Sequence, residues 1–170
     1  PPFLRGKSIG TTLGEQFRDW LISQYDRTNA SADIVAFFFR RAFSALRENG
    51  HFGLIATKTI SKGDTRLAGL RWICTHGGSI YSATKRLKWP GVAAVVVSVV
   101  HVVKVKACAF ELDGRSVSTI TAFLFTHGWH NDPIALQANA GVSFNGCNVA
   151  GVGFTFDDGE SKASLIEEMH

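Results

Sequence analysis

The chain begins with Pro1, Pro2 and Phe3, a tripeptide whose residue types suit the binding of a planar, polar ring. Proline holds φ near about −65° and has no amide donor, so the carbonyl groups of such a turn are free to accept hydrogen bonds. The phenylalanine offers a flat face, and stacking of a nucleobase on an aromatic side chain is worth roughly 1 to 3 kcal/mol. The same tripeptide occurs in ordinary polyproline loops, so by itself it leaves a structural role open.

A second segment with functional chemistry is residues 57–66, which read Thr-Lys-Thr-Ile-Ser-Lys-Gly-Asp-Thr-Arg and follow a predicted strand. Loops at the carboxyl ends of strands line the ligand crevice of open α/β sheets. Lys58, Lys62 and Arg66 are therefore candidates for contacts to phosphates or bases. Asp64 is equally a candidate for capping the helix that follows.

The third such segment is residues 85–91, Lys-Arg-Leu-Lys-Trp-Pro-Gly. A cationic run that ends in tryptophan supplies charges for a phosphate backbone together with a stacking face. We therefore predict DNA contacts from Lys85, Arg86, Lys88 and Trp89. An exposed connection between two strands is the alternative interpretation of the same residues.

Hydrophobic periodicity places these segments on an α/β scaffold. A valine-rich strand at 92–105 should be buried on both faces, and its proximity to the strand at 80–83 suggests an antiparallel pair. After Lys106 the pattern weakens into an appendage of moderate order, in which Asp113–Gly114 is a turn signal and residues 116–125 are expected to be extended and then in a short helix. The other predicted elements are a strand at 51–56 and helices at 14–27, from Asn29 or Ser31 to about Glu48, and at 64–75, the last with Arg66 and Arg71 outward.

In this order the motifs resemble the adenine-N6 DNA methyltransferases that use S-adenosylmethionine, in particular those of large fused restriction-modification enzymes. The resemblance covers most of residues 1 to 156. Lys58 stands where that family more often has asparagine, and Asn145 and Cys147 also depart from its pattern. The segments that carry the resemblance are Pro1–Phe3, Arg5–Ile9, Thr12, Gly14–Glu15, Asp19–Leu21, 57–66, 89–91, 143–146 and 151–154.

The resemblance implies that the chain is the second half of a Rossmann-like methyltransferase sheet, a mixed sheet in which the last strand inserts antiparallel beside the others. Residues 1–106 would be a partial catalytic domain, and 107–170 an appendage that leads toward a target-recognition region. The polar residue that the family places before Pro1, Asn or Asp, would lie upstream, as would the part that binds S-adenosylmethionine. The fragment alone is therefore expected to be inactive.

The same resemblance assigns the catalytic positions to Pro1, Pro2 and Phe3. The Pro1 carbonyl and the upstream Asn or Asp would hold the amino group of an adenine flipped out of DNA, while Phe3 stacks on its ring. No cofactor-binding residue is expected within the chain, and double-stranded DNA is the expected partner.

The charge distribution agrees with a nucleic-acid partner. Residues 1–106 carry 16 Lys or Arg against 6 Asp or Glu, a net charge of +10, whereas residues 107–170 carry 2 against 8, a net charge of −6. The first part has the sign expected of a surface that faces phosphates, and Lys7 is a further candidate contact there. Two other hypotheses remain: a basic, non-catalytic nucleic-acid-binding module, and a methyltransferase that acts on RNA or another planar amine.

Composition excludes several other classes. Three widely spaced cysteines favour reduced thiols in a cytoplasm over a disulfide framework. The longest apolar run, residues 91–103, is too short to span a bilayer, so no membrane partner is expected. His127 and His130 lack a second ligand pair, which predicts no metal site. A half-sheet with an exposed edge is also expected to self-associate.

Overall fold

A computed structural model of the chain describes residues 1–89, 95–134, 137–139 and 141–142. The chain divides into two compact units, Pro1–Asp132 and Pro133–His170. In the second unit the described residues include one 3-10 turn, Gln137–Asn139. Within the described residues, none of the helices has the length and apolar character needed to cross a bilayer.

The first unit starts with three helices: α1 (Gly6–Leu13), α2 (Glu15–Ser23) and α3 (Ile34–Ala45). The expected helix at 14–27 is α2, and α1 precedes it where no helix was predicted. Asp33 is the N-cap of α3, with its carboxylate accepting a hydrogen bond from the Val35 amide at 3.1 Å. The expected caps lie upstream, because Asn29 Oδ1 accepts from the Ser31 amide at 2.8 Å and forms a turn before the helix.

The helical segment predicted at 64–75 has three parts, α4 (Gly63–Arg66), a π-helical turn (Leu67–Arg71) and α5 (Trp72–Thr75). Asp64 lies in the first turn of α4, and the N-cap position belongs to Lys62, which makes no side-chain capping bond. The π-helical turn was not visible in the sequence, since an inserted residue leaves the apolar periodicity nearly unchanged over so short a helix.

A five-stranded sheet has the order β1-β3-β2-β4-β5. Strand β3 lies between β1 and β2 and runs antiparallel to both, as expected for the inserted valine-rich strand. Strand β4 is parallel to β2, and β5 is antiparallel to β4. This mixed α/β sheet confirms the predicted partial Rossmann-like fold. The strands are β1 (His51–Thr57), β2 (Ser79–Lys88), β3 (Val96–Val103), β4 (Phe110–Leu112) and β5 (Arg115–Val117).

The sheet differs from the prediction in two ways, both at β2 and the strands beyond it. Strand β2 continues to Lys88, so Lys85, Arg86 and Lys88 lie within a strand and not in a connection. Strands β4 and β5 then extend the sheet, joined by the predicted turn at Asp113–Gly114. Residues 107–132, which the sequence analysis placed in the appendage, are part of the first compact unit because they pair with β2 and fill its core.

The core lies between α3 and one face of the sheet. Phe39 and Phe43 of α3 pack in one apolar cluster with Val100 and Val102 of β3 and with Leu124 from the segment after β5. A second cluster joins α1 and α2 to the opposite side of α3 and is formed by Ile9, Leu21, Ala32, Ile34, Ala36, Phe37 and Ala68. Helix α3 is thus buried on two sides, which is why its sequence is apolar around most of its circumference.

The position of α3 leads to a prediction about its N-cap. Replacing Asp33 with alanine should lower the free energy of unfolding by about 1 to 2 kcal/mol, because the Val35 amide loses its acceptor in a buried place. Urea unfolding monitored by circular dichroism measures this change. Asp33→Asn keeps an acceptor of similar shape and should lose less. Equal stability of the alanine variant and the wild type would remove Asp33 from this role.

Candidate nucleic-acid interface

The carboxyl ends of β1 and β2 lie at the same edge of the sheet. Both strands are antiparallel to β3 and therefore parallel to each other, and Thr57 of β1 and Leu87 of β2 flank the same residue, Val97. A cleft of about 610 Å³ opens at this edge. Its lining residues are Lys58, Ser61, Lys62, Gly63, Lys85, Arg86, Ser98, Asp113, Phe123 and Phe125.

One side of the cleft is the segment that follows β1. A 3-10 turn (Lys58–Ser61) buries Ile60 completely. Lys58, two residues before Ile60, and Lys62, two residues after it, are exposed. Gly63 then starts α4 with φ of +47°, in the left-handed region that favours glycine. Because the buried isoleucine fixes the turn, both lysines are held on the cleft side of the sheet edge.

The other side of the cleft is an irregularity in β2. Thr84 pairs with Val99 and Leu87 with Val97, so β2 contains one more residue than β3 over this stretch. Arg86 has φ of +54°, which identifies the position of this β-bulge. In a regular strand consecutive side chains point to opposite faces, but here both Lys85 and Arg86 line the cleft. The bulge therefore brings two adjacent cations to one site.

The bulge is supported by the turn between β4 and β5. The Lys85 amide donates to Asp113 Oδ1 at 2.6 Å, and Lys85 Nζ lies 3.6 Å from Asp113 Oδ2. The Asp113 amide in turn donates to the Ala83 carbonyl at 2.9 Å. Strand β2 is thus held at the residues before its bulge, and these contacts also use the carboxylate of Asp113, which belongs to the described cleft lining.

The cleft is consequently cationic, with two aromatic rings. Among the described residues of its lining, four carry a positive charge and one is acidic, and that one faces Lys85. Phe123 and Phe125 line the same space, and Ser98 contributes from β3 between the two strand ends. Such a set of side chains can hold phosphate groups and the planar rings attached to them.

Arg66 does not belong to this surface, and the expectation that it points outward is wrong. Its side chain is almost fully buried: it forms an ion pair with Asp132, donates to the His130 carbonyl at 2.9 Å and lies 3.8 Å from the centre of the Phe123 ring. Arg71 binds the other Asp132 oxygen at 3.0 Å. The guanidinium of Arg66 is used in these contacts. Arg66 therefore packs against Phe123 of the cleft lining and is not available for a contact with DNA.

The remaining predicted site residues lie outside the cleft lining. Pro1, Pro2 and Phe3 are exposed, Phe3 to 46%, in the segment before α1. Lys7 is exposed on α1, and Lys88 and Trp89 are exposed at the end of β2. Residues 90–91 of the third motif and the motifs at 143–146 and 151–154 fall outside the described residues.

Hydrogen bonds connect the amino-terminal segment to the cleft edge. The Ile34 amide donates to the Leu4 carbonyl at 3.0 Å, and the Asp33 amide donates to Thr65 Oγ1 at 3.0 Å. Thr65 lies in α4, two residues after Gly63 of the cleft lining. The residue that follows Phe3 is therefore linked through the start of α3 to the start of α4.

The sequence analysis missed Phe123 and Phe125. Their alternation with Leu124 was visible in Ala-Phe-Leu-Phe, but it was interpreted as an extended stretch leading into a short helix. Leu124 has φ of +58°, a conformation that leucine rarely adopts and that no sequence pattern predicts. The one sequence signal that could have identified them is the pair of phenylalanines two residues apart.

Comparison with known proteins identifies the fold. No family model matches the sequence, and no curated protein matches it. Among solved structures, the chain is similar to the type IIL restriction-modification enzyme MmeI, determined in complex with DNA, with a TM-score of 0.61 over 74% of this chain and 18% sequence identity. The chain spans 19% of the length of that enzyme. At this identity the likeness shows a fold shared with part of a restriction-modification enzyme.

The buried position of His130 predicts how the free energy of unfolding depends on pH. Burial, together with the charge of Arg66, lowers the pKa of His130 below its ordinary value of 6.5, and its Nδ1 lies 3.1 Å from the Ala122 amide, whose hydrogen a neutral ring accepts. Unfolding returns the pKa of His130 to its ordinary value. The neutral His130 ring therefore contributes fully to the free energy of unfolding above pH 6.5, and this contribution is lost as pH falls through the pKa of His130 in the folded state.

The free energy of unfolding should therefore decrease more steeply from about pH 7 to about pH 5 in the wild type than in His130→Gln. Urea titrations at a series of pH values measure the two slopes. Trp129→Gln, a change at the exposed neighbour that carries no titratable group, is the matched control and should keep the wild-type slope. Identical slopes for wild type and His130→Gln would show that His130 is not held neutral by the fold.

Proposed function

We propose that this chain is the carboxyl-terminal part of the catalytic domain of a DNA adenine-N6 methyltransferase of the restriction-modification type. The observation that carries the proposal is that cations from two separate sequence motifs converge on one cleft at the carboxyl ends of β1 and β2. They are Lys58 and Lys62 of 57–66 and Lys85 and Arg86 of 85–91. That edge is where open α/β sheets bind their ligands. The fold shared with part of a restriction-modification enzyme supports the same conclusion.

In this proposal the cleft binds the phosphate backbone of DNA. Lys58 and Lys62 supply positive charge from one wall, and Lys85 and Arg86 supply it from the other. A DNA strand that lies along the cleft therefore contacts cations on both sides. Such contacts position the duplex without reading its sequence, and they release condensed counterions on binding. Lys88 and Trp89, exposed at the end of β2, extend the same contact surface.

The amino-terminal segment positions the target base. The Pro1 carbonyl accepts a hydrogen bond from the adenine amino group, which orients the nitrogen lone pair, and Phe3 stacks on the purine ring. Phe3 is 46% exposed, so part of its side chain is accessible for this contact. Because adenine N6 is a weak nucleophile, its orientation toward the methyl group contributes more to the rate than proton removal does.

The cofactor site lies elsewhere in the proposed enzyme. S-adenosylmethionine supplies the methyl group and carries a positively charged sulfonium, which four cations in the cleft would repel. The cleft lining therefore fits the phosphates of DNA and does not fit the cofactor. We assign cofactor binding to the part of the enzyme upstream of Pro1 and none of it to residues of this chain.

Methyl transfer tests this proposal directly. In the enzyme formed by the chain with its upstream half, Phe3→Ala should reduce incorporation of labelled methyl groups into DNA by orders of magnitude, because the adenine loses its stacking partner. Phe38→Ala, which removes a ring of similar exposure, 43% on α3, should leave incorporation unchanged. The chain alone should show no incorporation. Turnover by the chain alone, or full activity of Phe3→Ala, would contradict the proposal.

A second prediction concerns the cleft charges. The double variant Lys58→Ala and Lys62→Ala should weaken binding of duplex DNA uniformly across sequences and reduce the slope of log K against log salt by about 0.9 for each phosphate contact removed. Fluorescence anisotropy at several salt concentrations measures both effects. The control is Arg41→Ala with Lys106→Ala, two exposed cations outside the cleft lining. Equal slopes for the two double variants would rule out the cleft as the DNA-binding surface.

A basic nucleic-acid-binding module without catalysis is the second candidate function. It is favoured by the cationic cleft alone, which needs no cofactor to bind phosphates. The two experiments separate the candidates, since the module predicts salt-dependent binding through Lys58 and Lys62 but no methyl transfer and no effect of Phe3→Ala.

A further inference from the structure

The segment from Thr121 to Phe125 is a closed loop that presents two aromatic rings. The Thr121 amide donates to the Phe125 carbonyl at 2.9 Å, and the Leu124 amide donates to the Thr121 carbonyl at 2.8 Å. Leu124 adopts φ of +58° and is fully buried in the main core. Because Leu124 anchors the loop from inside, Phe123 and Phe125 on either side of it are directed to the cleft. A strained leucine conformation of this kind persists only where packing enforces it.

The two rings form a supported stack. Their centroids are 5.8 Å apart and their planes differ by 11°, an offset, nearly parallel arrangement. The Arg66 guanidinium lies 3.8 Å from the centre of the Phe123 ring and is itself fixed by Asp132 and the His130 carbonyl. Phe123 is thus held from behind, while Phe125 is 59% exposed. The exposed ring is preorganised, so a ligand that stacks on it does not have to order it first.

The surroundings of Phe125 define the chemistry of that ligand. In the described part of the cleft lining there are four cations and one carboxylate, which faces Lys85. A purely apolar ligand would gain nothing from the cations, and a simple anion would gain nothing from the rings. A nucleotide in a DNA strand has both parts, a planar base and phosphates on each side of it.

We propose that Phe125 stacks on an unpaired nucleobase of bound DNA while the cations of the cleft hold its flanking phosphates. This proposal rests on the proposed DNA-binding function and adds a second stacking position to it. Phe3, the proposed partner of the target adenine, is absent from the cleft lining, so the base on Phe125 is a different one. Extrusion of one base from a duplex leaves its former partner and neighbours with exposed faces, and Phe125 provides a surface for one of them.

The test compares three labelled DNAs of one sequence: a fully paired duplex, a duplex with one extrahelical adenine, and the same duplex with an abasic residue at that position. Fluorescence anisotropy with the full chain gives the dissociation constants. Phe125→Ala should weaken binding of the extrahelical adenine DNA by about 5- to 150-fold and of the other two by less than about twofold. Phe125→Trp retains an aromatic face and should restore the affinity.

Two controls separate stacking from a structural effect. Trp20→Ala removes a ring of similar exposure, 54% on α2, and should change none of the three affinities. With 2-aminopurine as the extrahelical base, the wild type should quench its fluorescence, and Phe125→Ala should not. A loss of stability alone cannot produce a difference between the abasic and the adenine DNA.

Other outcomes would overturn the proposal in distinguishable ways. Equal losses on all three DNAs, or no loss on any, would show that Phe125 does not stack on a base, and the proposed function would stand on its own tests. If the Lys58 and Lys62 variant also bound every DNA as tightly as wild type does, the cleft itself would not bind DNA, and both proposals would fail.

Discussion

Strand β3 lies between β1 and β2 and runs antiparallel to each of them, and the arrangement of the candidate site depends on this pairing. Because two strands that are both antiparallel to a third must be parallel to each other, the chain leaves β1 and β2 at the same edge of the sheet. The loop after β1 and the end of β2 then face each other across the start of β3. Two motifs that are separated by about twenty residues in the sequence become the two walls of one cleft.

The side-chain chemistry of the cleft depends on smaller irregularities in that regular sheet. The bulge at Arg86 brings two adjacent cations to one side of β2, and Leu124 in a left-handed conformation turns two aromatic rings toward them. Both irregularities are fixed by polar contacts or by packing, through Asp113 in the first case and the main core in the second. A rigid scaffold with local distortions is the usual way in which a sheet holds a binding site.

Much of this fold could be predicted from the sequence. The valine-rich composition of 92–105 indicated a central strand, which the structure has at 96–103, and the turn at Asp113–Gly114 followed from residue types that tolerate positive φ. The lysines of 57–66 were selected as candidates because a loop after a strand is where open α/β sheets bind ligands, and the structure places Lys58 and Lys62 in the cleft lining. Arg66 was misassigned because its spacing on the helix does not show that Asp132, 66 positions later, forms an ion pair with it. The bulge and the Leu124 conformation arise from tertiary packing, which local patterns do not encode.

The central claim is that the cationic cleft and the Pro1–Phe3 segment together bind DNA from which an adenine has been extruded. Its most direct test is a crystal structure of the chain, together with the upstream part proposed for the enzyme, bound to duplex DNA that contains the proposed target adenine. We expect phosphates within hydrogen-bonding distance of Lys58 and Arg86, and a purine stacked on Phe3. DNA bound on another face, with the cleft covered by polypeptide and Phe3 away from any base, would contradict the account.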